Sequence, residues 1–249
     1  MKIEILGCSG SVAQGYNTTS ILLNDSVLLD AGSAASVLPE ERLRGIRHIL
    51  LTHAHIDHVK ELPFILEALY SQTDHDVTVW GSANTIEALR DNIFNGVIWP
   101  RVAELNRAKA LVSFRTVPDD GFAAGGLAVE TIRTEHIPGS LGYLVSDGPS
   151  KVMFSGDTGL APDLFHLVKS LEGSLKALFV EVSFPDRMEA FAKLTMHLTP
   201  SLLGTGLAGL APTPARVFAY HIKPRYLDEV VAELPPNVAY ITGGEVFRF

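Results

Sequence analysis

Thr52-His53-Ala54-His55-Ile56-Asp57-His58-Val59 decides how this chain reads: three imidazoles and a carboxylate fall within six residues, directly after the apolar run Ile46-Arg47-His48-Ile49-Leu50-Leu51. Such a run predicts a strand that ends on a metal loop. His53 and His55, two apart on an extended strand end, are expected to point the same way, with Asp57 and His58 following on the turn. One loop can then serve two cations. Imidazole nitrogen and carboxylate oxygen suit zinc, manganese or iron, and the absence of a nearby thiolate argues against a structural cysteine-type zinc site.

A lone His-x-His is common in surface turns, so the reading depends on further ligands downstream. His136 lies in Thr134-Glu135-His136-Ile137-Pro138-Gly139, after the strand-like stretch 127–132. Asp157 lies in Phe154-Ser155-Gly156-Asp157-Thr158-Gly159, and His221 in Ala219-Tyr220-His221-Ile222-Lys223-Pro224. Each follows a β-like run at its C-terminal end, so a single sheet edge is expected to collect them all.

The rest of the chain bounds the answer. Its 249 residues are read as one domain, 1–249, and 47% hydrophobic residues without a low-complexity tract describe a globular protein. No apolar run approaches membrane-spanning length, and the opening Met1-Lys2-Ile3-Glu4-Ile5-Leu6-Gly7 alternates like a strand rather than a secretion signal. With Cys8 as the only cysteine no internal disulfide can form, so a reducing, cytoplasmic location is expected and Cys8 reads as a small residue in a turn. The formal charge of −8 weighs against a long nucleic acid as partner, whereas two divalent cations would still draw a small anion into the cleft.

Strands are expected at 3–6, 20–23 and 27–29 as an antiparallel meander, followed by helices at 59–70 and, behind a Ser82 cap, at 82–94. The second half repeats strand then helix: 177–182 before 187–194, 217–220 before 226–234, with strands 238–241 and 246–249 closing the chain. This pattern predicts an α+β protein of two sheets packed face to face with helices on the outer faces.

With its His-x-His-x-Asp-His at 53–58, then His136, Asp157 and His221 in order, the chain resembles the metallo-β-lactamase superfamily. The stretches Leu6-Gly7-Cys8-Ser9-Gly10 and Leu28-Leu29-Asp30-Ala31-Gly32 look like that superfamily's first strands. Two further stretches, Asp91-Asn92-Ile93-Phe94-Asn95-Gly96-Val97-Ile98-Trp99-Pro100 and Met196-His197-Leu198-Thr199-Pro200, resemble the class II cyclic-nucleotide phosphodiesterases. Departures from the family pattern are Ile56, Pro63 and Glu61, the last expected to alter the pocket rim.

The resemblance implies a four-layer αββα sandwich. It also implies two divalent ions, zinc first with Mn2+ or Fe2+ as alternatives: His53, His55 and His136 on one, Asp57, His58 and His221 on the other, Asp157 between them, and a shared water as nucleophile. The implied reaction is hydrolysis of 3′,5′-cyclic nucleotides (cAMP, cGMP) to 5′-nucleotides. Asp57 and His197 are the expected catalytic residues, with His197 protonating the ribose leaving group or clamping the phosphate. Phe94, Asn95, Trp99, Phe184 and His197 are the candidate substrate contacts; core packing competes for the aromatics and turn formation for Asn92 and Asn95. His48, His75 and His166 carry no such support. The expected partner is a small anionic nucleotide, with no long nucleic acid, no membrane, and a homodimer allowed. Competing readings are a transfer-RNA 3′-processing endonuclease, which should carry a basic, glycine-rich arm, a thioesterase or lactonase, and a non-catalytic scaffold.

Overall fold

A computed structural model describes residues 1–70, 76–107, 110–171, 173–208 and 215–249; His75 lies outside them. The first half lays down β1 (Lys2–Gly7), β2 (Ser20–Leu23), β3 (Val27–Leu29), α1 (Ala34–Val37), α2 (Glu40–Leu43), β4 (His48–Leu50), α3 (Ile56–Val59), α4 (Leu62–Tyr70), β5 (Val77–Gly81), α5 (Ala83–Asn92), α6 (Val102–Leu105) and β6 (Val112–Thr116). The second half adds β7 (Phe122–Ala124), β8 (Leu127–Arg133), β9 (Leu141–Ser146), β10 (Lys151–Phe154), α7 (Pro162–Ser170), β11 (Leu175–Glu181), α8 (Glu189–Leu194), α9 (Pro200–Leu207), β12 (Arg216–Tyr220), α10 (Leu227–Glu233), β13 (Val238–Tyr240) and β14 (Val246–Arg248).

These strands form two seven-stranded sheets, ordered β14-β1-β2-β3-β4-β5-β6 and β13-β12-β11-β10-β9-β8-β7. The strand sequences explain the stacking. Ile21, Leu23, Val27, Leu29 and Leu50 point inward and meet Tyr143, Val145, Phe154 and Phe179 of the other sheet. The residues between them, Leu22, Leu28 and Ile49, point outward against Leu62, Ile65 and Leu66 of α4 and Ile86 and Leu89 of α5. In the second sheet Met153, Leu178 and Val217 do the same against Leu164 and Val168 of α7, Leu203 of α9 and Val230 of α10. Strands that are apolar at every position need cover on both faces, and the α, β, β, α layering supplies it.

The expected meander is β1, β2 and β3, paired antiparallel. Ser82 caps α5 as expected, its hydroxyl accepting from the Thr85 N–H at 3.1 Å. The helix expected over 59–70 is instead two helices: the one-turn α3 holds Asp57 and His58, and α4 starts at Leu62 with Pro63 in its first turn, where a missing N–H costs nothing. Glu61, between them, does not reach a pocket rim. It is 7% exposed, and its carboxylate accepts from the Ser36 N–H at 3.0 Å and from the Ser36 hydroxyl, tying α4 to α1.

Candidate metal centre

The site collects at one edge shared by both sheets, not at the edge of one. From the first sheet, β4 leads into His53 and His55, and His55 occupies the N-cap of α3, which presents Asp57 and His58. From the second, His136 follows β8, Asp157 follows β10 and His221 follows β12. β10, β11 and β12 are parallel neighbours, and β8 runs the same way through antiparallel β9, so their C-terminal ends open on one side.

Two clusters result. His53, His55, His136 and Asp157 each place a ligand atom within 4.8 Å of the others, and so do Asp57, His58 and His221. Asp157 joins them: its Oδ2 lies 3.7 Å from His53 Nε2 and 3.4 Å from His221 Nε2, and its Oδ1 lies 3.4 Å from His58 Nε2. Asp57 Oδ2 lies 3.4 Å from His221 Nε2. Among the described residues His53 Nε2 and Asp157 Oδ1 are buried without a hydrogen-bond partner, an arrangement that costs free energy unless a cation takes up the lone pairs. The donor set therefore fits divalent metal ions.

A surrounding shell orients the imidazoles. His58 Nδ1 donates to Asp30 Oδ2 at 2.8 Å, and His136 Nδ1 to the Met196 carbonyl at 3.1 Å. Thr52 Oγ1 gives its proton to Asp30, leaving its lone pair to accept from His53 Nδ1 at 3.0 Å. Ser183 Oγ donates to Glu181 Oε2 at 3.0 Å and so accepts from His221 Nδ1 at 3.0 Å. Four histidines are thus held with the proton on Nδ1 and the Nε2 lone pair facing the centre, as metal ligation requires. His55 differs, turning Nδ1 to within 3.1 Å of His136 Nε2.

The backbone is shaped to deliver these groups. Among the described residues five non-glycine residues have left-handed φ: Asn24 and Asp25 form the β2–β3 turn, while Asp30, Met196 and His221 all belong to this site. Left-handed φ at such residues costs on the order of 1–3 kcal/mol each and persists where the surroundings enforce it. Gly32 lets the helix of the metal loop approach, since a Cβ there would lie 2.2 Å from the Asp57 carbonyl.

The charges respond to one another. Burial pushes the His53, His55 and His136 imidazoles below the usual histidine range. Burial would do the same to His58, but Asp157 and Asp30 outweigh it and raise it. Burial would raise Asp157, yet His221, His58 and His53 hold it well below the usual carboxylate range.

His197 stands beside the clusters and is 8% exposed, able to join Asp157 and His221 as a third grouping. Its Nδ1 is bound by Glu181 Oε1 at 2.9 Å. Burial lowers its proton affinity, but the Glu181 charge and hydrogen bond reverse this and raise it above the usual 6.5. The expected substrate contacts fare differently. Phe94 is 2% exposed, packed edge-on against Phe114 in the core under α5, so it is corrected to a core residue. Phe184, 4% exposed, lies edge-on behind His197 and offers no open face to a base. Asn95 spends its amide on its own loop, accepting from Val97 and Ile98 N–H at 2.9 and 2.8 Å. Trp99 packs edge-on against Phe64. Cys8 is buried, and burial pushes its thiol up, consistent with an unreactive residue. Sequence reasoning missed the roles of Asp30, Thr52, Glu181 and Ser183; the available signal was a carboxylate closing an otherwise apolar strand, at Leu28-Leu29-Asp30 and Phe179-Val180-Glu181.

Two stacked sheets between helical layers, with a histidine–aspartate centre at their common edge, define the metallo-β-lactamase fold. The Beta-lactamase superfamily domain matches residues 23–222, and the chain belongs to that family. A Yersinia pestis protein named "Probable 3′,5′-cyclic-nucleotide phosphodiesterase" is 27% identical over 248 residues, covering 81% of this chain and 70% of that protein. The "Ribonuclease Z" of Latilactobacillus sakei is 26% identical over 293 residues, covering 94% and 91%. Unliganded yeast PDE1 shares the fold at a TM-score of 0.82 and 18% identity, covering 100% of this chain and 99% of that one. No helix among the described residues is long and apolar enough to cross a membrane.

Proposed function

We propose that this protein hydrolyses 3′,5′-cyclic nucleotides to 5′-nucleotides with two divalent ions. The observation that carries the reading is His197: a buried imidazole, clamped through Nδ1 by Glu181, placed beside Asp157 and His221 but outside the two main clusters. His53, His55, His136 and Asp157 would hold one ion and Asp57, His58 and His221 the other, with Asp157 common to both. When bound, the ions supply Lewis-acid activation of water and neutralise phosphoryl charge. The protein's own part is orientation and proton delivery. Asp30, Thr52, Met196 and Ser183 keep the Nε2 atoms pointing inward, and His197 Nε2 gives its proton to the ribose O3′ as that bond breaks, while Glu181 steadies the imidazolium. An alkoxide is a poor leaving group, so this proton transfer is worth about 100-fold or more in rate.

The name of the Yersinia protein supports the cyclic-nucleotide substrate. The ribonuclease relative keeps a transfer-RNA reading in view, but from Asp157 to His197 the described chain is taken up by α7, β11, a short 3-10 turn and α8, with no basic arm projecting from it. The test is release of 5′-AMP or 5′-GMP from cAMP or cGMP by metal-loaded protein, run beside a precursor transfer RNA. Turnover of the cyclic nucleotides and not the RNA is expected; the reverse would overturn the assignment.

A further inference from the structure

Lys223 is the cation nearest in sequence to the metal ligand His221, and it is not used by the site described above. It is half-buried, and among the described residues no carboxylate forms an ion pair with it. Its Nζ instead donates to the Gly10 carbonyl at 2.9 Å and rests 5.2 Å from the centre of the Phe184 ring. Both contacts adjoin residues of the centre. Phe184 stands edge-on to His197, with ring centres 5.7 Å apart. Gly10 backs onto His221, so closely that a Cβ there would lie 2.4 Å from the His221 carbonyl and 3.0 Å from Nδ1. The Gly10 N–H donates to the Ile222 carbonyl at 3.2 Å, and His221 N–H to the Cys8 carbonyl at 2.6 Å, so the loop is pinned to the strand end that carries Lys223.

An ammonium has three N–H donors, and one carbonyl satisfies one of them. The aromatic face stabilises the charge without neutralising it. In a chain of formal charge −8, a tethered cation left without a counter-charge beside a histidine–aspartate centre is a place for an anion. Consistent with this closeness, the Lys223 charge is felt at His197, whose proton it disfavours.

We propose that Lys223 is an anion clamp: its free N–H groups bind a non-bridging phosphoryl oxygen of the substrate on the His197–His221 side of the centre. This deepens the phosphodiesterase reading and rests on it for the substrate, but not for the binding of phosphate. The clamp makes the site select anionic phosphate esters over neutral carboxylic esters, which the metals alone would serve equally. A lysine suits the task because a compact ammonium can shift on its flexible stem as the phosphoryl oxygens rearrange.

The test is calorimetric titration of inorganic phosphate into the zinc-loaded full chain, as wild type, Lys223→Met and Lys223→Arg, with zinc content and thermal melting checked for each. Loss of one charge-assisted hydrogen bond should weaken phosphate about tenfold in Lys223→Met, and Lys223→Arg should recover most of it. Equal affinity in wild type and Lys223→Met overturns the proposal, and so does an equal loss in the Met and Arg variants with intact zinc, which would make Lys223 a loop tether. Should Lys223→Met fail to fold, Lys223→Gln carries the same comparison. A parallel assay with cAMP should show the Lys223→Met defect in KM more than in kcat. If phosphate binding follows the charge while no variant, wild type included, turns over cAMP, the clamp stands and the substrate assignment falls.

Discussion

The metal loop at 52–59 and the stretch at 91–100 both read as functional in the sequence, yet the fold uses them in opposite ways. The loop's three histidines and aspartate converge on one centre, whereas Phe94 disappears into the core, Asn95 closes its own turn and Trp99 leans on Phe64. The difference lies in what burial costs. An imidazole or carboxylate is stable inside a protein only with partners, so several of them at strand ends leave few arrangements open. A phenyl ring gains by burial anywhere, so its presence in a suggestive stretch says little about a ligand.

Five variants would break or sharpen that contrast. Asp157→Ala removes the carboxylate that joins the two clusters, and should lower activity by at least about 1,000-fold, equivalent to roughly 4 kcal/mol. Metal analysis should show fewer ions bound per chain; full activity with full metal content would mean Asp157 is not shared. Phe94→Ala should act on the fold instead, lowering stability by about 3–5 kcal/mol in chemical denaturation with KM for cAMP unchanged. A raised KM with unchanged stability would return Phe94 to the substrate.

His197→Ala comes next, with kcat on a cyclic nucleotide down about 100-fold and metal content preserved. An aryl phosphodiester has a good leaving group, so the loss on it should be much smaller; equal losses would point to phosphate binding instead. The related variant Glu181→Gln tests the sign of the coupling. Glu181 raises the His197 proton affinity against the effect of burial, so the acid form persists to higher pH and is lost as pH rises. Removing the charge should move the alkaline limb of the kcat profile to lower pH, and a limb that does not move would separate His197 from that limb. Asp30→Asn should have the smallest effect, a loss of about 10- to 100-fold in metal affinity through misorientation of His58, read by competition with a chelator.

Much of this was legible beforehand. His53, His55, Asp57, His58, His136, Asp157 and His221 stand out because each follows an apolar run, and such runs become strands whose ends the sheets align. Strands in both halves with helices interleaved likewise announced two sheets with helices on their outer faces. The one-turn helix that carries Asp57 and His58 was not legible, since four residues show no periodicity. Nor was the turning of Glu61 toward Ser36, which depends on where α1 packs. Asp30, Glu181 and Ser183 escaped notice as orienting groups because their partners lie far along the chain: Asp30 reaches His58, and Ser183 reaches His221. Thr52 adjoins His53, but it can accept from that imidazole only because Asp30, 22 residues away, takes its hydroxyl proton.

The sequence by itself determined the chemistry on offer: nitrogen and oxygen ligands at strand ends, one cysteine too few for a disulfide, and a net negative charge. Tertiary structure alone decided which nitrogen of each histidine faces inward, which aromatic rings are buried and what the Lys223 ammonium touches. The reason is physical. Residue types and periodicity are local properties that survive in the unfolded chain, whereas a proton's position on an imidazole depends on an acceptor brought within about 3 Å, and only the packing of two sheets brings it there.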